Sequence, residues 1–91
     1  MTFRILYHTA VVRDDIPKLS SADRKRVKEA IEEKLGGSPE IFGKPRRHSL
    51  RGYRALRVGD YRVIFRIEND TVKIFLIVHR SLAYQKIKKR I

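Results

Sequence analysis

The stretch from Leu50 to Ile67, LRGYRALRVGDYRVIFRI, leaves little freedom in how it folds. Two runs rich in β-branched and aromatic residues flank Gly59-Asp60. Such a Gly-X pair suits a two-residue type II′ hairpin turn, because glycine takes φ > 0 without strain. With that pair as the turn, Val58 faces Tyr61 and Arg57 faces Arg62 across the ladder. Side chains alternate along a strand. Leu56, Val58, Tyr61, Val63, Phe65 and Ile67 then form one apolar face, while Arg57, Arg62 and Arg66 share the other with Ile64. Like charges directly opposite each other cost stability. The Arg57/Arg62 pair therefore either serves a task outside folding or carries a small penalty for none. A phosphate is the natural ligand, since the planar guanidinium fork matches phosphate oxygens.

The composition agrees with an anionic ligand. Lys and Arg number 22 against 10 Asp and Glu, a net charge of +12, with a pI near 10.6. That is the electrostatic footprint of a nucleic-acid binder or of a partner of something acidic. Apolar residues make up 42% of the chain, enough that the charge does not imply disorder. The 91 residues are read as a single domain, 1–91, with one modest core. Cysteine is absent, which excludes disulfides and thiolate metal sites. His8, His48 and His79 are scattered without companion ligands, so neither a metal nor another cofactor is expected. No apolar run reaches membrane-spanning length, and the opening residues do not read as a signal peptide. The expectation is a cytoplasmic protein with no membrane partner.

Before the hairpin, Phe3–His8 reads as a first strand. Thr9 is placed to cap a helix in which Val12, Ile16 and Leu19 share one face, ending near Pro17. Ser20 opens a second helix through an approximate capping box, Ser20-Ser21-Ala22-Asp23. Val27, Ala30, Ile31 and Leu35 form its apolar stripe, and Gly36-Gly37 caps its end. These two helices predict an antiparallel hairpin packed on a sheet. Residues 38–49, punctuated by Pro39, Gly43 and Pro45, read as a loop. After the hairpin, Asn69-Asp70 is a second two-residue turn. Thr71–Val78 is almost continuously apolar, as in a strand covered on both faces. Simple counting through that turn sets Ile77 opposite Arg62 and puts His79 on the arginine face. Ser81 caps a short, basic last helix with Ala83, Ile87 and Ile91 inward. The fold class is α+β: a small, mainly antiparallel sheet, an N-terminal helix hairpin and a short C-terminal helix.

No Gly-rich phosphate loop, metal-ligand spacing or Ser/His/Asp set is present. Asp14-Asp15 and Glu32-Glu33 are adjacent on helices and diverge, so they make no acid–base pair. What remains is a cationic concavity. Arg57, Arg62, His79 and Arg80 lie by the sheet, Tyr84 just beyond, and the Lys44–His48 loop above. Stabilising charge on a phosphoryl group is the main task in cleaving a phosphodiester. RNA supplies its own nucleophile, the 2′-hydroxyl, so such a site needs positioning, cations and a proton carrier, without a metal.

The order of strand, two helices, RVGDYRVIF, apolar strand, His79-Arg80 and Tyr84 resembles the RelE/ParE toxin superfamily over nearly the whole chain. The resemblance implies the RelE-like fold and a toxin of a type II toxin–antitoxin system. Its activity would be ribosome-dependent, metal-independent cleavage of mRNA in the A site through 2′-hydroxyl attack. A cognate acidic, RelB-like antitoxin, the ribosome and mRNA are the implied partners. Carried over by position, Arg57, Arg62, His79, Arg80 and Tyr84 form the implied catalytic set. Lys44, Arg46, Arg47, His48 and Arg54 would contact RNA. Some relatives carry lysines on the central strands where this hairpin has none. Arginine stays protonated, so His79, with an ordinary pKa near 6.5, or Tyr84 would move the proton.

Plainer readings stand beside these. Arg57 and Arg62 also read as solvated strand residues, though their cross-strand pairing weighs against it, His79 as a strand-end polar group, Tyr84 as a lid on the core, and Lys44–His48 as a solvated basic loop. Two other functions compete. One is a ParE-type toxin that binds DNA gyrase and is no nuclease. The other is a non-catalytic RNA-binding module. The His79-Arg80…Tyr84 end favours the nuclease over the first, and the lack of a legible exposed aromatic pair argues against the second.

Overall fold

The computed structural model describes residues 2–42, 44–45 and 52–90. Among the described residues five strands form one sheet: β1 (Arg4–Tyr7), β2 (Lys44–Pro45), β3 (Tyr53–Val58), β4 (Tyr61–Glu68) and β5 (Thr71–His79). Their order is β1-β5-β4-β3-β2. β1 runs parallel to β5, and every other pairing is antiparallel. The fold is α+β, as the sequence predicts.

The central hairpin has the expected register, with Val58 opposite Tyr61 and Arg57 opposite Arg62. Gly59 has φ of 58°, and Asp60 is not in the left-handed region. One positive φ, at the first turn residue, is the type II′ signature. Asn69 takes φ of 57° in the second turn, a conformation asparagine tolerates better than most residues.

Between β4 and β5 the register departs from simple counting. Pairing runs in step from Glu68↔Thr71 to Phe65↔Ile74, and then Ile64 pairs with Leu76. Phe75 is thus an extra residue on β5, a β-bulge. Arg62 faces Val78 rather than Ile77, and His79 faces Tyr61. Side-chain period is two, so one inserted residue moves everything beyond it to the opposite face. His79 therefore does not lie on the arginine face.

The N-terminal helical region also differs in detail. The ring of His8, not the hydroxyl of Thr9, accepts the Ala10 N–H at 3.0 Å. Val11–Asp15 is a π-helical turn, followed by a 3₁₀ turn at Ile16–Lys18 that contains Pro17. The wide turn closes with the Ile16 N–H on the Val11 carbonyl. It turns Val11 and Asp15 inward and leaves Val12 56% exposed, against the 3.6-residue expectation. Helix α1 (Ser21–Ala30) begins where predicted, with the Ser20 hydroxyl accepting the Asp23 N–H at 3.1 Å. It continues through a π-helical turn, Ile31–Leu35. Gly36 ends that turn with φ of −69°, in the right-handed region. It serves close approach instead, because the Glu32 carbonyl occupies the place of a β-carbon there. Residues 38–49 are not all loop: helix α2 (Pro39–Phe42) and β2 lie within them.

The core lies on both faces of the sheet. On one face Val11, Val27, Ile31 and Leu35 pack on Val63, Phe65, Val72 and Ile74. On the other, Ile87 of helix α3 (Ala83–Arg90) packs on Ala55, Ile64, Leu76 and Val78. β5 contributes to both clusters, which accounts for its apolar run. Ile91, expected inward on α3, lies outside the described residues.

Candidate functional site

The second face of the hairpin carries Arg57 and Arg62 side by side, at the end of the sheet near the Gly59-Asp60 turn. Arg62 is half-buried; its Nη1 donates to the Tyr61 carbonyl at 2.9 Å and the Gly59 carbonyl at 3.2 Å. These bonds hold the guanidinium over the turn. Arg80 reaches the same turn from β5. Its backbone N–H donates to the Asp60 carbonyl at 2.7 Å, and its Nε lies 3.8 Å from the Asp60 carboxylate. A 3₁₀ turn, Arg80–Leu82, then leads into α3 and presents Tyr84, 65% exposed. Arg62, Arg80 and Tyr84 rim an open pocket of about 230 Å³ with Ala55, Ile64 and Ile87 among its lining.

Electrostatics show how close the cations are. Burial first, and then the charges of Arg57 and Arg80, hold the Arg62 guanidinium below its usual value, with Asp60 acting in the opposite direction. Two guanidinium groups, one across the ladder and one at the end of β5, thus act on Arg62. An arginine stays protonated at neutral pH all the same. The result is a net positive field, only partly offset by Asp60, at a pocket whose floor is apolar, which suits an anionic group. Lys88, one turn beyond Tyr84, sets its ammonium 4.8 Å from the Tyr84 ring centroid.

Not every candidate residue converges there. His79 lies against Tyr61, ring centroids 5.7 Å apart and nearly perpendicular. Its Nδ1 meets the Ser81 hydroxyl at 2.9 Å and accepts the Ser81 N–H at 3.2 Å, capping the 3₁₀ turn. Arg54 alternates onto the opposite side of β3 from Arg57, and its Nη1 donates to the Glu40 carbonyl at 3.3 Å. Lys44 sits in β2, paired with Ala55. Arg46, Arg47 and His48 lie outside the described residues. Among the described residues no cluster of three potential metal ligands occurs, and no helix is long and apolar enough to cross a membrane.

Residues 4–84 match the family model described as ParE toxin of type II toxin–antitoxin system, parDE. Toxin RelE of Mycobacterium tuberculosis is 32% identical over 84 residues, covering 87% of each chain. The chain is a type II toxin of the RelE/ParE superfamily. This RelE-family toxin is also 34% identical to Toxin RelG of the same organism over 80 residues, covering 86% of its own length and 92% of the relative's. Its structure matches a chain of the M. tuberculosis toxin–antitoxin complex RelBE2 with a TM-score of 0.82 and 32% identity, covering 88% of this chain and 100% of that one.

Two contributors to the site were not legible beforehand. Asp60 anchors Arg80 through its carbonyl and carboxylate, yet in the sequence it is only the second residue of a turn. Lys88 reads as one more cation in a basic helix. The i, i+4 spacing from Tyr84 was the available signal for it.

Proposed function

We propose that this toxin is a metal-independent endoribonuclease that cleaves mRNA in the ribosomal A site by attack of the RNA's own 2′-hydroxyl. The observation that carries the reading is the convergence of Arg62 and Arg80 with exposed Tyr84 at one pocket, with Arg57 beside Arg62 across the ladder. Arg62 and Arg80 hold the scissile phosphate and stabilise the charge that develops on it. Arg57 supplies field from the neighbouring strand. Tyr84 stacks on a base beside the scissile bond or takes part in moving the 2′-hydroxyl proton. His79, turned to the other face, has no part in proton transfer at this pocket. A RelB-like acidic antitoxin is the neutralising partner. The net charge of +12 supports it, as does similarity to a chain of the RelBE2 complex.

Expression of the chain alone should arrest growth, and co-expression with a short acidic protein from the adjacent reading frame should relieve the arrest. Purified toxin should cut a ribosome-programmed mRNA, mapped by primer extension, and leave the same RNA intact without ribosomes. The family model's description favours a second reading, a ParE-type toxin that inhibits gyrase. Growth arrest with blocked supercoiling and uncut mRNA would select it.

A further inference from the structure

Beyond this pocket, the same face of the sheet carries a second aromatic group. Tyr53 of β3 meets Phe75 edge-on, ring centroids 5.2 Å apart. Phe75 in turn meets His8, just past β1, at 5.9 Å. Arg66, the partner of Tyr53 across the β3–β4 ladder, places its guanidinium carbon 5.5 Å from the Tyr53 ring centroid. Phe75 is the bulged residue: alternation from Lys73, opposite Arg66, already sets its ring on the arginine face, and the bulge brings Leu76 onto that face beside it while turning His79 away. Tyr53 and Phe75 are half-exposed and His8 is exposed.

The placement relative to the pocket matters. Tyr53 lies two residues before Ala55 on the same face of β3, and Ala55 lines the pocket with Tyr84. Two residues along a strand span about 6.6 Å, a step that one extended nucleotide covers. Tyr84 with Lys88 and Tyr53 with Arg66 are therefore two cation–aromatic pairs in succession, leading away from Arg62 and Arg80. Single-stranded nucleic acid is held by this combination, rings for the bases and cations for the backbone. An acidic peptide would gain from the cations but little from the rings.

We propose that Tyr53, backed by Phe75 and flanked by Arg66, is a stacking subsite for an unpaired RNA base next to the one at Tyr84. The assignment deepens, and rests on, the reading of the pocket as an RNA-cleavage site. A nucleobase lies on the Tyr53 ring while Arg66 meets the adjoining phosphate. Lys73 carries less of the charge, because Glu68 lies 3.4 Å from its ammonium.

The chain has no tryptophan, so Tyr53→Trp creates a single reporter at the subsite. The probe is a 2′-O-methylated single-stranded hexanucleotide, which cannot undergo 2′-hydroxyl attack. Titration should quench the tryptophan saturably. In the parent chain, Tyr53→Leu should weaken binding of the same probe by about 5- to 150-fold, the range expected for one lost stack, and Tyr53→Phe should restore it. Thermal melting checks that the Leu variant is folded. Binding without quenching, with Tyr53→Leu within twofold of the parent, overturns the proposal. So does quenching by a poly-glutamate peptide and not by RNA, which makes this face a protein-docking surface. Ribosome-programmed cleavage by the unmodified chain is scored separately. Cleavage without quenching removes the subsite and leaves the function; quenching without cleavage does the reverse.

Discussion

Asp15 and Arg90, 75 residues apart in the chain, form a two-point ion pair at 2.7 and 3.1 Å. They stand where β1 ends and the outer edge of β5 would otherwise be unpaired. Asp15 accepts the Ile77 N–H at 3.0 Å, and Arg90 donates to the Phe75 carbonyl at 3.0 Å. The pair thus completes the hydrogen bonding of the strand beside the bulge and ties α3, which carries Tyr84, to the sheet. Removing one partner leaves the other charge largely buried, so Asp15→Ala should cost about 3 kcal/mol. Replacing both by Leu and Met should recover only part of that, because the two backbone groups stay orphaned. Urea unfolding of the singles and the double is the measurement. Losses under about 1 kcal/mol would show that the clamp is not a structural tie.

Arg62→Ala and Arg80→Ala should each lower the rate of ribosome-programmed cleavage by about 100- to 1000-fold, the usual effect of removing one well-aimed donor. Stability should hold or rise for Arg62→Ala, since relief from Arg57 and Arg80 offsets two bonds to turn carbonyls. Thermal unfolding alongside primer extension reads both. A variant that cuts at the parental rate, or melts several degrees lower, makes Arg62 a structural residue.

His79→Gln is the complementary case. The ring caps a turn and packs on Tyr61, on the face away from the arginines. Cleavage should stay within a few-fold of the parent, while the lost cap costs about 1 kcal/mol. A loss comparable to that of Arg62→Ala would return His79 to the proton-transfer role.

Tyr84→Phe separates the two possible tasks of an exposed ring. Cleavage near the parental rate assigns Tyr84 to stacking; a drop of about 100-fold or more assigns its hydroxyl to proton transfer.

Alkaline pH should destabilise the fold through Tyr7. Burial, and then the charge of Glu32, raises its pKa above the usual 10.0. A group raised on folding contributes stability that is complete below the unfolded value and lost as pH rises through the folded one. The melting temperature should therefore fall above about pH 10, and Tyr7→Phe should lessen the fall. Identical pH profiles for the two proteins would mean the hydroxyl is freely solvated.

Much of this architecture was legible in local patterns. Gly59-Asp60 determined a type II′ turn, because few residues other than glycine adopt that backbone. The turn in turn determined which side chains of β3 and β4 share a face and which arginines are neighbours. Ser20 with Asp23 marked the start of α1, and the unbroken apolar run of β5 marked a strand covered on both sides. These are signals of short range, set by backbone sterics and side-chain period. The bulge at Phe75 carries no such signal. It follows from how β5 fits between β1, β4 and α3 at once, and it decides that His79 leaves the arginine face while Leu76 and Val78 join it. The Asp15–Arg90 pair is likewise a product of packing, since nothing local to either residue specifies a partner 75 positions away. A strand's period of two makes the faces readable only until one extra residue is inserted, and whether one is inserted is settled by the whole sheet closing on its two cores.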